Sequence, residues 1–429
     1  MKLKNLLLTT ALITLPLSSS FAKQDLFESG VNVSFGGEIR TQVGIRQQSE
    51  KYLKPLTPNN DNIAFNSNTA VHATIKGRCI KGWKYGAQLG IRTTTVDTAP
   101  SGKDYLDRTY IYVENKDYGR LEVGSNKGAS NTMKIAGNSV AVGSGGTDGA
   151  WGGYLSLDRF TNAAAAVNEN DTAADNDTGA LREDSFIDSA KLPISEGVDS
   201  TGSHERYRKI TYYSPEYNGF KLGITYSPDS KNTGAAAMPP YSGDINEKYS
   251  NVVTAGITWE KQFNSDKLKL SVVGQRADKK QASNVTSGIR SYHPIQAIMV
   301  GALYKHDNIS VAASCGSHFK STFEKVANVS NSFFYDAGIA YNLGKSNVSL
   351  TYLYSEKNTN PLHVVAVGAD YALAPGIVPY AEVSYFTAHQ KRKYNENKTG
   401  PQTSATIDTT TSIKKNDGTL FLLGTTFTF

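Results

Sequence analysis

Apolar and polar residues alternate with a period of two in runs of roughly ten residues, a pattern that predicts strands rather than helices. Val31, Val33, Phe35, Ile39, Val43 and Ile45 fall on one face of the first run; Glu38, Arg40, Gln42 and Arg46 fall on the other. After a polar link from Gln47 to Asn68, Val71, Ala73, Ile75, Gly77 and Cys79 oppose His72, Thr74, Lys76 and Arg78. Lys81-Gly82 then turns the chain into Trp83, Tyr85, Ala87, Leu89 and Ile91, opposed by Lys84, Gln88 and Arg92. Spacing and turn chemistry predict a hairpin.

The links between runs alternate in length. Short turns are expected at Lys116 to Gly119, Pro215 to Gly219, Asn264 to Asp266, Asp307-Asn308, Gly344 to Ser346 and Ala374 to Ile377. Longer links fall around 94–104, 228–248, 277–291, 320–331, 357–360 and 388–417, with a very long one near 127–205. Short turns on one rim and long loops on the other describe an all-β, up-and-down antiparallel barrel of about sixteen strands, with periplasmic turns and outside loops. An even number brings the last strand back to the periplasmic rim.

The placement of charge orients these strands. If Lys76, Arg78, Lys84 and Arg92 faced lipid, each would cost roughly 2–4 kcal/mol at mid-bilayer. Four such costs rival the stability of an ordinary domain. The charged faces must therefore meet water, which in a transmembrane barrel means the lumen. A soluble sandwich would also turn its charge to water, so orientation alone does not prove a membrane.

The chain stops on GTLFLLGTTFTF, Gly418 to Phe429. Phe421, Leu423, Thr425, Phe427 and Phe429 share one face and Leu420, Leu422, Gly424, Thr426 and Thr428 the other. A terminal strand has an open edge, and closing onto the first strand removes it. This amphipathic strand ending in Phe resembles the last strand of Gram-negative outer-membrane barrels. That resemblance implies an assembly signal at Phe427 and Phe429, read by the barrel-assembly machinery, and outer-membrane lipid around the wall.

At the other end, Lys2 and Lys4 precede an apolar run from Leu6 to Leu17 and the small residues Ser18 to Ala22. The run is too short to span a bilayer and reads as a cleaved signal, residues 1–22, leaving 23–429 as the barrel. Its removal lowers the formal charge from +6 to about +4, too little to indicate a nucleic-acid partner. The 24 Tyr and 38 Gly suit a barrel that is apolar only on its outer band. Cys79 and Cys315 lie on strands far apart, so no disulfide is expected.

Three hairpins carry a closer resemblance. YLDRTYIYVENKDYGRLEVGSNKGAS at 105–130, RYRKITYYSPEYNGFKLGITYSPD at 206–229 and VVAVGADYALAPGIVPYAEVSYF at 364–386 are similar to those of the proteobacterial general porins. Those porins are trimeric sixteen-stranded diffusion channels of the Gram-negative outer membrane. The resemblance spans about Val31 to Phe429, strong along the strands and weak in the loops. It implies a homotrimer that passes small hydrophilic solutes and ions, with the long third extracellular loop, 127–205, folded into the lumen. It sets Arg108 at the position of a constriction arginine, with His72 where many relatives carry another. Arg40, Lys76 and Arg92 would complete a basic wall.

The loop is richer in acids than in bases, with Asp148 and Asp158 among the candidates to face that wall. Acids in a Gly- and Asn-rich loop are more often simply solvated. This loop is longer than in the family, and Ala163 to Asn176 reads as an insertion. The part expected to line the pore is Gly137 to Phe160. Gly143-Ser144-Gly145-Gly146 has no following helix and reads as flexible loop.

Catalytic motifs are missing: there is no HExxH, GxSxG, P-loop or CxxC. The seven histidines lack ligand spacing, so neither metal nor cofactor is expected and the chain does not read as an enzyme. The competing reading is a barrel that displays its loops as an adhesin or surface antigen.

Overall fold

Strand follows strand around a single closed sheet in the computed structural model. It describes residues 30–48, 62–94, 106–155, 157, 186–194, 207–229, 249–279, 292–321, 323, 325, 329–390 and 414–429. Its strands are β1 (Asn32–Gln48), β2 (Ile63–Arg78), β3 (Lys84–Thr94), β4 (Leu106–Asn115), β5 (Gly119–Ser125), β6 (Arg208–Tyr213), β7 (Phe220–Asp229) and β8 (Tyr249–Phe263). The circuit continues through β9 (Asp266–Lys279), β10 (Ile295–His306), β11 (Ile309–Phe319), β12 (Ser332–Asn342), β13 (Ser346–Lys357), β14 (Asn360–Tyr371), β15 (Ile377–Gln390) and β16 (Lys414–Thr428). Every strand pairs antiparallel with its sequence neighbours, and β1 pairs with β16 to close the barrel. The expected signal segment, residues 1–22, lies outside the described residues.

Alternation sets the two faces. Along β13, Val348, Leu350 and Tyr352 are exposed outward while Ser349, Thr351 and Leu353 are buried inside. The same division holds at Ile339 and Asp336 of β12 and at Ile224 and Thr225 of β7. Polar groups turn inward to the lumen side of the wall, and the exposed apolar residues form an outer band.

The short turns are built by residues that accept positive φ. Asn218 and Gly219 stand at φ 50° and 82°, the signature of a two-residue hairpin turn between twisted strands. Two expectations are corrected. The link at 357–360 is no long loop: Asn358 and Thr359, at φ 46° and 71°, make a tight turn between β13 and β14. The second strand begins at Ile63 instead of after Asn68, because β1 offers Asn66, Ser67 and Asn68 a complete ladder at Gln42, Thr41 and Arg40. Tertiary pairing here overrides low strand propensity.

Closure uses the last residue. The Gly37 amide donates to the Phe429 carbonyl (3.0 Å) and the Phe429 amide to the Gly37 carbonyl (3.1 Å). A Cβ on Gly37 would come within 2.6 Å of the Phe429 ring, so this glycine admits the terminal aromatic. The Phe427 and Phe429 rings stack 5.9 Å apart on the outside. Both cysteines are free, with Cys315 exposed on the outward face of β11.

Candidate functional site

After β5 the chain turns into the barrel and runs along its inner wall. The Ala129 amide donates to Thr225 Oγ1 on β7 (2.8 Å). Ser271 Oγ on β9 donates to the Met133 carbonyl (2.6 Å), and the Gly137 amide to Asp336 Oδ2 on β12 (2.5 Å). The Val142 amide reaches Ser349 Oγ (3.0 Å) and the Thr147 amide Thr351 Oγ1 (3.1 Å), both on β13. Arg46 Nη1 on β1 then meets the Tyr154 carbonyl (3.3 Å). Residues 126–155 thus sweep along the inner wall from β7 to β1, and Ala64 of β2 packs against the same apolar cluster. The lining begins earlier than the expected Gly137, and Asp158 lies outside the described residues.

Apolar burial holds this pass more than its hydrogen bonds do. Trp151 and Leu155 pack with Phe386, Leu420 and Leu422, inward residues of β15 and β16 that are fully buried beneath the loop. Each such side chain is worth about 1.5–3 kcal/mol, against about 1 kcal/mol for a neutral hydrogen bond. Both faces of the terminal strand are apolar for this reason: one meets the exterior and the other the loop.

Close approach is made possible by wall glycines. A Cβ on Gly301 of β10 would lie 2.0 Å from the Ile135 carbonyl oxygen, and one on Gly338 of β12 2.2 Å from that of Gly137. No side chain fits there while the loop is docked.

Two buried wall carboxylates, absent from the sequence-based candidates, receive the loop backbone. Glu382 of β15 accepts from the Ser144 amide (3.0 Å), Ser144 Oγ (2.6 Å) and the Gly146 amide (3.2 Å). The stretch read as flexible is therefore a structured nest: Gly143, Gly145 and Gly146 take φ 75°, 124° and 64°, and the Ser144 and Gly146 amides converge on one anion. Asp336 also accepts from Ser314 Oγ. An acid at an inward strand position was the available signal, but alternation alone gives it no partner.

A second segment, Phe186 to Ile194, returns along the same wall. Ser355 Oγ on β13 donates to the Ile187 carbonyl (2.6 Å), and His318 Nε2 on β11 to the Lys191 carbonyl (2.7 Å). Gln275 on β9 clasps Ile194 at both its amide (2.9 Å) and its carbonyl (2.9 Å).

The basic residues stand on the inward faces of β1 to β4. Arg40 pairs with Glu38 (3.3 Å) and donates to the Ser144 carbonyl (3.3 Å), touching the loop across the lumen side of β1. Glu38, Ala70 and Arg92 are register partners across β1, β2 and β3, so Arg92 stands one row from Arg40. His72 pairs with Gly36 and Gly90 in the neighbouring row. Arg108 lies on the inward face of β4 with Tyr110, whose hydroxyl donates to Gln88 (2.8 Å). Lys76 points inward too, but its partner Asn32 is the first residue of β1, so it stands at the short-turn rim away from the arginines. Asp148 is exposed on the loop and accepts from Asn138 Nδ2 (2.9 Å). Beside this wall, Arg120 is neutralised between Glu122 (2.6 Å) and Glu114 (3.0 Å) over the Tyr112 ring.

The arrangement is an aqueous passage bounded by a docked loop on one side and cationic side chains on the other. Among the described residues no cluster of histidine, cysteine or carboxylates could hold a metal ion. Comparison with known proteins agrees with this architecture. An uncharacterized protein of Rickettsia felis is 27% identical over 94% of this chain and 98% of its own length. One of Rickettsia bellii is 28% identical over 94% and 97%. Among solved structures, the anion-selective porin from Comamonas acidovorans superimposes with a TM-score of 0.53 at 12% identity, covering 93% of this chain and all of that one. A variant of the Rh. blastica porin gives 0.52 at 13%, covering 92% and 100%. The family model for the Gram-negative porins matches residues 9–391. Family match, closed barrel and inward loop lead to one conclusion: the chain belongs to the Gram-negative porin family and is an outer-membrane porin.

Proposed function

We propose that this porin is a passive diffusion channel for small hydrophilic solutes and ions that favours anions, working as a homotrimer after removal of a signal peptide over residues 1–22. The supporting observation is the asymmetry of charge about the passage. Asp336 and Glu382 are buried behind the loop and accept from its backbone, whereas Arg92 and Arg108 stand inward on β3 and β4 and Arg40, paired with Glu38, stands inward on β1. Asp148 is the acid of the described inward pass that stays exposed. Charge at a narrow point discriminates among solutes by sign, and with a screening length of about 10 Å at 0.1 M salt it acts across a narrowed lumen. Arg40, His72, Arg92 and Arg108 are read as the constriction wall facing Asp148, with Lys76 contributing at the rim. The anion-selective Comamonas porin, similar in fold, makes this direction of preference reasonable.

A planar bilayer with a salt gradient tests the reading. The wild-type reversal potential is expected on the anion side, and Arg40→Ala, Arg92→Ala and Arg108→Ala together should move it toward zero with little loss of conductance. A wild-type protein without channels would favour a display barrel instead; a triple variant with an unshifted potential would remove these arginines from the selectivity wall.

Phe427 and Phe429 are read as the assembly signal for the barrel-assembly machinery, and lipid as the partner of the outer band. Deleting Phe429 removes the two backbone bonds to Gly37 and the ring above it. Folded, heat-modifiable protein in the outer membrane should fall severalfold on a gel, and an undiminished yield would count against that role.

A further inference from the structure

We infer that Phe186 to Ile194 forms a second sieve, a shelf at the outer mouth stacked above the first pass of the loop; this rests on the channel reading. Three alternate strands carry the observation. On β9, Ser271 bonds the first pass, and Gln275 clasps Ile194 of the second while also donating to Ser130 Oγ of the first (3.1 Å). On β13, Thr351 bonds the first and Ser355 the second. On β11, Ser314 holds Asp336, which receives the first pass, and His318 bonds the second. Each pair is four residues apart on the inward face, the larger number being nearer the long-loop rim. Four residues correspond to about 13 Å along a strand. The wall thus presents two parallel rows of polar side chains, and the loop occupies both.

The shelf is built, not merely laid down. Phe186, Ile187, Leu192 and Ile194 are all buried. Ile194 joins a separate apolar cluster with Tyr207, Val252, Ala277 and Ile295 at the outer ends of β8, β9 and β10. His318 meets the Phe334 ring edge-on at 5.7 Å, which orients the imidazole toward the Lys191 carbonyl. Its charged elements are the partly buried Asp188 and Lys191 side chains, joined by an ion pair of 2.8 Å. A solute entering from outside passes this shelf on the β9 to β13 side before it reaches the arginine wall, so the shelf screens by size and the lower pass by size and charge.

Ser355→Ala with His318→Leu removes the side-chain bonds at Ile187 and Lys191 while leaving Ser271, Gln275, Thr351 and both lower carboxylates untouched. In proteoliposome swelling, the rate for a trisaccharide relative to a monosaccharide is expected to rise roughly threefold as the upper constraint loosens. An unchanged or lowered ratio in folded protein overturns the inference. Should the double variant fail to fold, Asp188→Lys decides: two bases at the partly exposed edge of the shelf move the reversal potential toward anions, and no movement overturns the shelf as a pore element. Failure of the wild-type protein to pass any sugar or ion would instead sink the channel reading itself.

Discussion

Replacing residues 128–206 with a short Gly-Ser turn is expected to raise single-channel conductance at least about twofold, since a sixteen-stranded barrel is otherwise wide enough for an open aqueous channel. The excision is feasible because Ser125 and Arg208 are register partners, so β5 and β6 can close as an ordinary hairpin. Both described passes leave the lumen together. Phe334, Phe386, Leu420 and Leu422 lose their cover, and at about 1.5–3 kcal/mol for each buried side chain the barrel should melt at a lower temperature while its strand ladder stays intact. The removed stretch contains more acids than bases, so the reversal potential should move further toward anions. A loop used for display would lie outside the current path. Unaltered conductance in a folded excision variant would therefore sink the constriction and revive surface display.

Arginine on the outer band should abolish assembly where the same residue on the inner face does not. Ile339 and Leu350 are register partners on β12 and β13, each nearly half exposed on the outward face. Substituting both, Ile339→Arg with Leu350→Arg, places two charges against hydrocarbon at roughly 2–4 kcal/mol each near mid-bilayer. Their sum of about 4–8 kcal/mol is comparable to the stability of a typical fold, 5–15 kcal/mol. Almost no heat-modifiable barrel is expected in the membrane fraction. Thr74→Arg is the control: Thr74 faces inward beside His72 and Lys76, so this variant should insert normally. Equal tolerance of the two designs would mean that the outer band does not meet lipid.

Strand existence, face assignment and the short turns were readable from local chemistry, because in a β-barrel each of these depends on residues a few positions apart. Ile339 and Asp336 declare opposite faces by parity, and Asn218-Gly219 declares its turn by the φ it tolerates. The turn at Asn358-Thr359 was missed because neither residue is a glycine and both take positive φ under tertiary constraint. Proximity of Arg40 to Arg92 followed from neighbouring strands once the register was known; the depth of Lys76 did not, since register decides it. The path of the loop is set by long-range packing. Ser144 and Glu382 are separated by 238 residues, and Ser130 and Gln275 by 145. Alternation cannot express such pairs: it places Glu382 and Leu420 and Leu422 on inward faces without saying that the loop covers them. Local alternation specifies a barrel with a greasy outside and a charged inside. Which of its inward groups face water, and which are covered by the loop, was settled by packing between segments hundreds of residues apart.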